Sequence, residues 1–92
     1  MEDVNQFKNE FEPYLRGYDV EHRFFEEGDF GSLNQIEFNS QKKGGEVEFW
    51  SRGVLYVHFV NYENGDELIN ILLMPEQDGE KEIIFQRLKE LL

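Results

Sequence analysis

The stretch that decides the fold is residues 46–73, EVEFWSRGVLYVHFVNYENGDELINILL. Two polar segments, Ser51-Arg52-Gly53 and Glu63-Asn64-Gly65, interrupt its apolar residues, and each segment ends in glycine. A common three-residue hairpin loop is a type I turn followed by a glycine in the left-handed conformation. We therefore predict two such loops, which would join three consecutive antiparallel strands.

The first loop also predicts a register, because pairing decides which side chains share a face. A three-residue loop places Phe49 opposite Leu55 and Val47 opposite Val57, so that one face is entirely apolar. A two-residue turn would instead set a glutamate beside Val57 and bring charge into the core. The sequence therefore predicts the longer loop, with Gly53 at positive φ.

The second loop extends the same apolar face to a further strand. A three-residue loop at Glu63-Asn64-Gly65 would pair apolar residues with one another: Phe59 with Ile69, Val57 with Ile71 and Leu55 with Leu73. This agreement favours a strand from Leu68 to Leu73. The alternative for residues 67–74 is a short helix capped by Asp66.

Upstream of this stretch, the spacing of apolar residues predicts a helix and two more strands. The helix follows Asp3, a good N-cap, and Pro13 is expected to bend or tighten it before Gly17. From Tyr18 the period changes to two, which indicates a strand that ends at an acidic turn over residues 26–29. Residues 33–40 are predicted to form the next strand, and a turn at residues 42–45 would end it.

Downstream, Pro75 ends the last strand and a closing helix follows. Its apolar residues recur at helical spacing: Ile84, Leu88, Leu91 and Leu92. Lys81 is expected on its polar side. Helices outside a run of strands with short connections pack on one face of the sheet. The predicted fold is α+β: a single two-layer domain over residues 1–92, with an antiparallel four- to five-stranded meander sheet and N- and C-terminal helices packed on it.

Composition narrows the classes of partner. The chain has 20 acidic and 9 basic residues, a net charge of -11, and no cysteine. Nucleic acids and anionic membranes are polyanions that bind basic surfaces, so neither is an expected partner. A field of this sign would attract a basic protein, although solubility alone also accounts for such a charge. No apolar run is long enough to span a bilayer and the N-terminus lacks signal-peptide features, so a cytoplasmic location is expected.

The sheet face opposite the helices is the first candidate binding surface. Trp and Tyr are enriched in interfaces because they supply large, rigid contact areas, and carboxylates beside them suit a basic partner. The residues that we expect to bind a partner there are Glu46, Glu48, Trp50, Tyr56 and His58. The alternatives are that a helix covers this face or that a homodimer buries it.

The turn between the first two strands is the second candidate surface. Phe24, Phe25 and Phe30 flank its three carboxylates, which belong to Glu26, Glu27 and Asp29. Such an acidic loop could fill a cationic cleft of a protein partner. A solvated turn with buried phenylalanines is the alternative.

Catalytic and metal-binding patterns are not found in the sequence. His22 and His58 are its only imidazoles, and they fall in different predicted strands. No nucleophile elbow, zinc or EF-hand motif or glycine-rich phosphate loop occurs, so no catalytic, cofactor or metal residue is assigned. We therefore expect a protein that is not an enzyme. The alternative is a small enzyme or ligand-binding domain with its site near His22 or His58.

The chain resembles the small acidic immunity proteins that bacteria make against their own toxins. The most similar part is residues 45–53, GEVEFWSRG, followed by residues 54–62 and 67–75. This part covers about half of the chain and is not a defined motif, so it implies a class of function and no residue roles. The resemblance implies an inhibitor that binds and neutralises a basic toxin domain, often a nuclease.

Overall fold

A computed structural model describes residues 3–26, 28 and 30–92. Its five strands form one antiparallel sheet in the order β1-β2-β3-β4-β5, between a short N-terminal helix and a longer C-terminal one. The elements are α1 (Val4–Glu10), a 3-10 turn (Glu12–Tyr14), β1 (Asp19–Phe25), β2 (Leu33–Asn39), β3 (Lys43–Trp50), β4 (Leu55–Asn61), β5 (Glu67–Leu73), a second 3-10 turn (Pro75–Gln77) and α2 (Asp78–Leu91). The predicted α+β meander is confirmed.

The β3–β4 loop has the predicted geometry. Gly53 has φ of +92°, and Phe49 lies opposite Leu55. The backbone N–H of Trp50 donates to the Val54 carbonyl at 3.0 Å, and the N–H of Gly53 donates to the Trp50 carbonyl at 2.9 Å. The predicted register, and with it the assignment of faces in this hairpin, is confirmed.

The segment after the second loop is a strand, so the helical alternative for residues 67–74 is wrong. β5 pairs with β4 in the predicted register as far as Phe59, which lies opposite Ile69. The loop between them has four residues, 62–65, and not the predicted three, because the backbone N–H of Asn61 donates to the Asp66 carbonyl at 2.9 Å. A bulge between Phe59 and Val60 places Val60 opposite Glu67 and leaves Leu68 as the extra residue. Leu68 therefore packs against the core cluster, whereas simple alternation predicts it on the opposite face.

Both helices pack on one face of the sheet, which they cover with aromatic side chains. The Asp3 carboxylate caps α1 by accepting from the backbone N–H of Gln6 at 2.9 Å. The ring of Phe49 on β3 lies 5.6 Å from that of Phe7 on α1 and 6.1 Å from that of Phe85 on α2. The core is therefore a layer of large apolar side chains between the helices and this face of the sheet.

The turn predicted at residues 42–45 lies earlier in the chain. β3 already begins at Lys43, and the backbone N–H of Ser40 donates to the Lys43 carbonyl at 2.8 Å to close the turn. A Cβ on Gly45 would collide with the backbone carbonyl of His58. Gly45 is therefore required by close packing of two strands and does not mark a turn.

Lys81 also differs from its predicted place on the polar side of α2. Its side chain is 8% exposed, and its Nζ lies 3.1 Å from a carboxylate oxygen of Asp78, one turn earlier. The aliphatic stem of a lysine can cover apolar surface while its ammonium reaches a partner. A charged residue at this position therefore does not mark the solvent side of the helix.

Candidate protein-binding face

The face of the sheet opposite both helices carries most of the predicted binding residues, and we call it the open face. Register places its side chains in rows that cross all five strands. One row is Glu21, Glu37, Glu46, His58 and Asn70, and the next is Arg23, Gln35, Glu48, Tyr56 and Leu72. The structure thus brings Glu46, Glu48, Tyr56 and His58 together, as the sequence predicts.

Two carboxylates at the centre of the open face share one amide. The Nε2 of Gln35 donates to Glu46 at 2.9 Å and to Glu48 at 2.8 Å. Burial raises the pKa of Glu46, and the charges of Glu48 and Glu37 raise it further, while His58 and Arg23 act in the opposite direction. The centre of this face is therefore short of positive charge.

Tyr56 is held in place by a chain of polar contacts. Its hydroxyl donates to Asn70 Oδ1 at 3.0 Å, and the Asn70 amide donates to Glu67 at 3.1 Å. Its ring stacks on that of His58 with centroids 6.2 Å apart. Burial raises the pKa of the Tyr56 hydroxyl, as do the charges of Glu46, Glu48 and Glu67, so the hydroxyl stays protonated and remains a donor.

His58 completes this cluster with one ring nitrogen unsatisfied. Its Nε2 lies 3.6 Å from a Glu67 carboxylate oxygen, which is beyond hydrogen-bonding distance. That nitrogen is shielded from solvent and has no hydrogen-bond partner within the described part of the chain.

Trp50 lies at the end of the open face, where it is half-buried. Its ring packs edge-on against that of Phe30 with centroids 5.8 Å apart, and a Cβ on Gly28 would meet it at 2.6 Å. Trp50 therefore supports the connection between β1 and β2 and presents only part of its ring to a partner.

The described part of the same connection is hydrogen-bonded to the β3–β4 loop. The backbone N–H of Ser51 donates to the Ser32 carbonyl at 2.8 Å, and that of Arg52 donates to the Phe30 carbonyl at 3.1 Å. Glu26 is exposed near this junction. Glu27 and Asp29, the other two predicted residues of the acidic turn, lie outside the described residues.

Sequence reasoning missed several residues of the open face: Glu21, Arg23, Gln35, Glu37 and Glu67. Their alternation within β1, β2 and β5 is visible in the sequence. The register of β1 on β2 and of β2 on β3 is not visible there, because neither connection is a short loop that ends in glycine. With those registers, the Arg23–Glu37 pair, which the structure places 2.7 Å apart, could have been predicted.

The two histidines do not form a common site, because they lie on opposite faces of the sheet. His22 shares a row with Ile36 and Val47 on the helical face, where it contacts the carboxylate of Glu12. Within residues 3–26, 28 and 30–92, no three His, Cys, Asp or Glu side chains are arranged to hold a metal ion.

Comparison with protein-family models, with curated proteins and with solved structures found no match to this chain. The longest helix is α2, with 14 residues, and no helix in the described ranges is long and apolar enough to cross a membrane.

Proposed function

We propose that this chain is a small protein-binding domain whose open face takes a basic protein partner. In its most concrete form it is an immunity-type inhibitor that neutralises a basic bacterial toxin domain in the cytoplasm. The observation that supports this proposal is the carboxylate cluster around Glu46. Burial raises the pKa of Glu46, the like charges of Glu48 and Glu37 raise it further, and His58 and Arg23 act in the opposite direction.

A lysine or arginine from a partner would lower the free energy of this cluster. Its charge would relieve the repulsion among Glu37, Glu46 and Glu48, and partial burial of these groups weakens screening by water. Tyr56 and Leu72, which is 48% exposed, lie beside them and offer apolar contact. The open face thus combines an aromatic side chain with excess negative charge, and both features suit an interface with a basic protein.

The charge of the whole chain supports the same proposal. A net charge of -11 on 92 residues would accelerate the approach of a basic partner and disfavour nucleic acid. The alternatives are a homo-oligomer that buries the open face and a small enzyme with its site near His22 or His58. The placement of the two imidazoles on opposite faces of the sheet weighs against a site that uses both.

The test is capture of a partner at low salt by the tagged chain, with a matched charge control. E46Q/E48Q removes two carboxylates from the open face, whereas E76Q/E90Q removes two exposed carboxylates near and on α2. We expect a basic protein to be retained by the wild type and by E76Q/E90Q and lost with E46Q/E48Q. Equal loss with both variants would indicate nonspecific charge attraction and would overturn the proposal.

The toxin hypothesis has its own test. If a neighbouring gene encodes a basic toxin domain, co-expression of this chain should restore growth, and E46Q/E48Q should restore less growth than E76Q/E90Q. Full protection by E46Q/E48Q would place the inhibitory surface elsewhere.

A further inference from the structure

Among the residues that the structure describes, β1 is an edge strand, with β2 on one side and no strand on the other. All of its residues except Val20 are exposed, and these include Phe24 at 58% and Phe25 at 46%. An edge strand presents a row of free backbone N–H and C=O groups, which is a template for pairing with another strand. A strand paired to this edge would shield exposed phenylalanine from water.

The hydrogen bonds of the sheet identify which backbone groups of β1 point outward. On β3, the N–H of Trp50 points to β4, where it meets Val54, and the N–H of Ser51 points to β2, where it meets Ser32. This direction alternates along each antiparallel strand. Carried through the registers, the alternation directs three residues of β1 away from β2: Val20, His22 and Phe24.

The side chains at the centre of β1, from Val20 to Phe24, are self-complementary about His22. We propose that a second copy of this chain pairs with β1 antiparallel, with His22 opposite His22 of the second copy. In this register Val20 faces Phe24 of the second copy, and Glu21 faces Arg23 of the second copy. Arg23, which contacts Glu37 at 2.7 Å and Glu21 at 3.1 Å within its own chain, would thus gain a further carboxylate. Each of these contacts between the two copies occurs twice because of the two-fold symmetry. The same register also sets the outward N–H and C=O groups of the two strands opposite each other.

The neighbouring registers are unfavourable. A two-fold axis at Glu21 would place two glutamates opposite each other, and one at Arg23 would place two arginines opposite each other. Directly opposed like charges destabilise an antiparallel pair. Shifting the second strand by one residue would set backbone groups that point away from β2 opposite groups that point toward it, so the strands could not hydrogen-bond. These comparisons favour the register centred on His22.

The other edge of the sheet is less suited to pairing. The bulge between Phe59 and Val60 interrupts the regular ladder at one end of β5, and bulges protect edges. β5 also packs against α2. We therefore assign the second copy to β1.

This pairing leaves the open face accessible. A two-fold axis perpendicular to the sheet puts both helical layers on one side and both open faces on the other. The dimer would present two adjacent acidic and aromatic faces on one continuous sheet. It is independent of the basic partner proposed above and compatible with it.

The first test is the mass in solution, by light scattering at about 100 μM chain, together with two charge variants. The wild type should show twice the chain mass of 11.0 kDa. E21R alone and R23E alone should each dimerise at least about tenfold more weakly, because each places like charges opposite each other. An equal mixture of E21R and R23E should regain the dimer, since each chain then opposes the other's charge.

A monomeric wild type would overturn the proposal, as would a dimer that both single variants leave unchanged. Thermal unfolding of each variant establishes that it is folded before its mass is interpreted.

A second measurement uses cysteine, which the natural chain lacks. In the proposed register H22C brings two thiols to a pair with Cα atoms about 5.5 Å apart, close enough for a disulfide. D19C places its two thiols at opposite ends of the paired segment. Oxidation should therefore cross-link H22C and leave D19C uncross-linked, and equal cross-linking of both variants would overturn the register.

Discussion

At the scale of single residues, Glu46 is a partly buried carboxylate that lies close to two others, Glu37 and Glu48. Its carboxylate accepts from Gln35 at 2.9 Å, yet Glu48 and Glu37 add negative charge on either side. The pKa of Glu46 is raised above its ordinary value of 4.5, so its ionised form is disfavoured in the folded state. Ionised Glu46 therefore lowers the free energy of unfolding at neutral pH.

We predict that E46Q stabilises the domain at pH 7, by less than about 1 kcal/mol because the site is partly exposed. Ionised Glu46 destabilises the folded state in full above its raised folded pKa. This destabilisation disappears below the unfolded pKa near 4.5, where the carboxyl is protonated in both states. The gain should therefore vanish in urea titrations at about pH 4 and below. E63Q, at an exposed position in the β4–β5 loop, is the control that should change little. A loss of stability in E46Q would show that its carboxylate is structural.

A second prediction at the scale of single residues concerns Gly45. We expect Gly45→Ala to destabilise the domain by about 1–3 kcal/mol, because a Cβ there would collide with the backbone of β4. Gly79→Ala is the matched control, since nothing lies within 4 Å of its added Cβ and alanine favours the helix. Denaturant unfolding measures both, and a tolerated Gly45→Ala would contradict the close approach of β3 and β4.

At the scale of elements, hairpins with a loop ending in glycine are predictable and the other connections are not. Gly53 and Gly65 both have positive φ, but only the β3–β4 loop has the predicted length. The β4–β5 loop has four residues, and the bulge between Phe59 and Val60 restores the predicted pairing. The described residues of the β1–β2 connection, 28 and 30–32, follow no such turn pattern, because their positions depend on tertiary contacts with Trp50 and Ser51. The open face of β3 and β4 could therefore be predicted from sequence, whereas its extension to β1 and β2 required the structure.

The alternation within β3 gives a prediction for two adjacent residues. Phe49 is 7% exposed and belongs to the core cluster, while Trp50 is half-buried on the other face. Phe49→Ala should cost about 3–5 kcal/mol of unfolding free energy, and Trp50→Ala about 1–2 kcal/mol. Chemical denaturation of both variants tests this difference. If Trp50→Ala costs as much as Phe49→Ala, Trp50 belongs to a core and the open face is smaller than described.

At the scale of the whole molecule, the two faces of the sheet differ in burial and in charge. The helical face buries Phe7, Phe11 and Phe85 and supplies most of the stability of a short chain. The opposite face carries carboxylates around Tyr56, which lies outside the core cluster, and it is the face that we propose for binding. Stability and binding should therefore respond to different substitutions.

The most direct test of the proposed binding face is the dissociation constant of the captured basic partner, measured for Tyr56→Ala and Tyr14→Ala. Both replace a partly or largely exposed tyrosine, but Tyr14 lies in the 3-10 turn after α1, away from the open face. A buried interface aromatic costs about 2 kcal/mol or more when truncated, which is about 30-fold in Kd. We predict at least that loss for Tyr56→Ala and less than about threefold for Tyr14→Ala. Unchanged affinity in Tyr56→Ala, or an equal loss in both variants, would contradict binding through the open face.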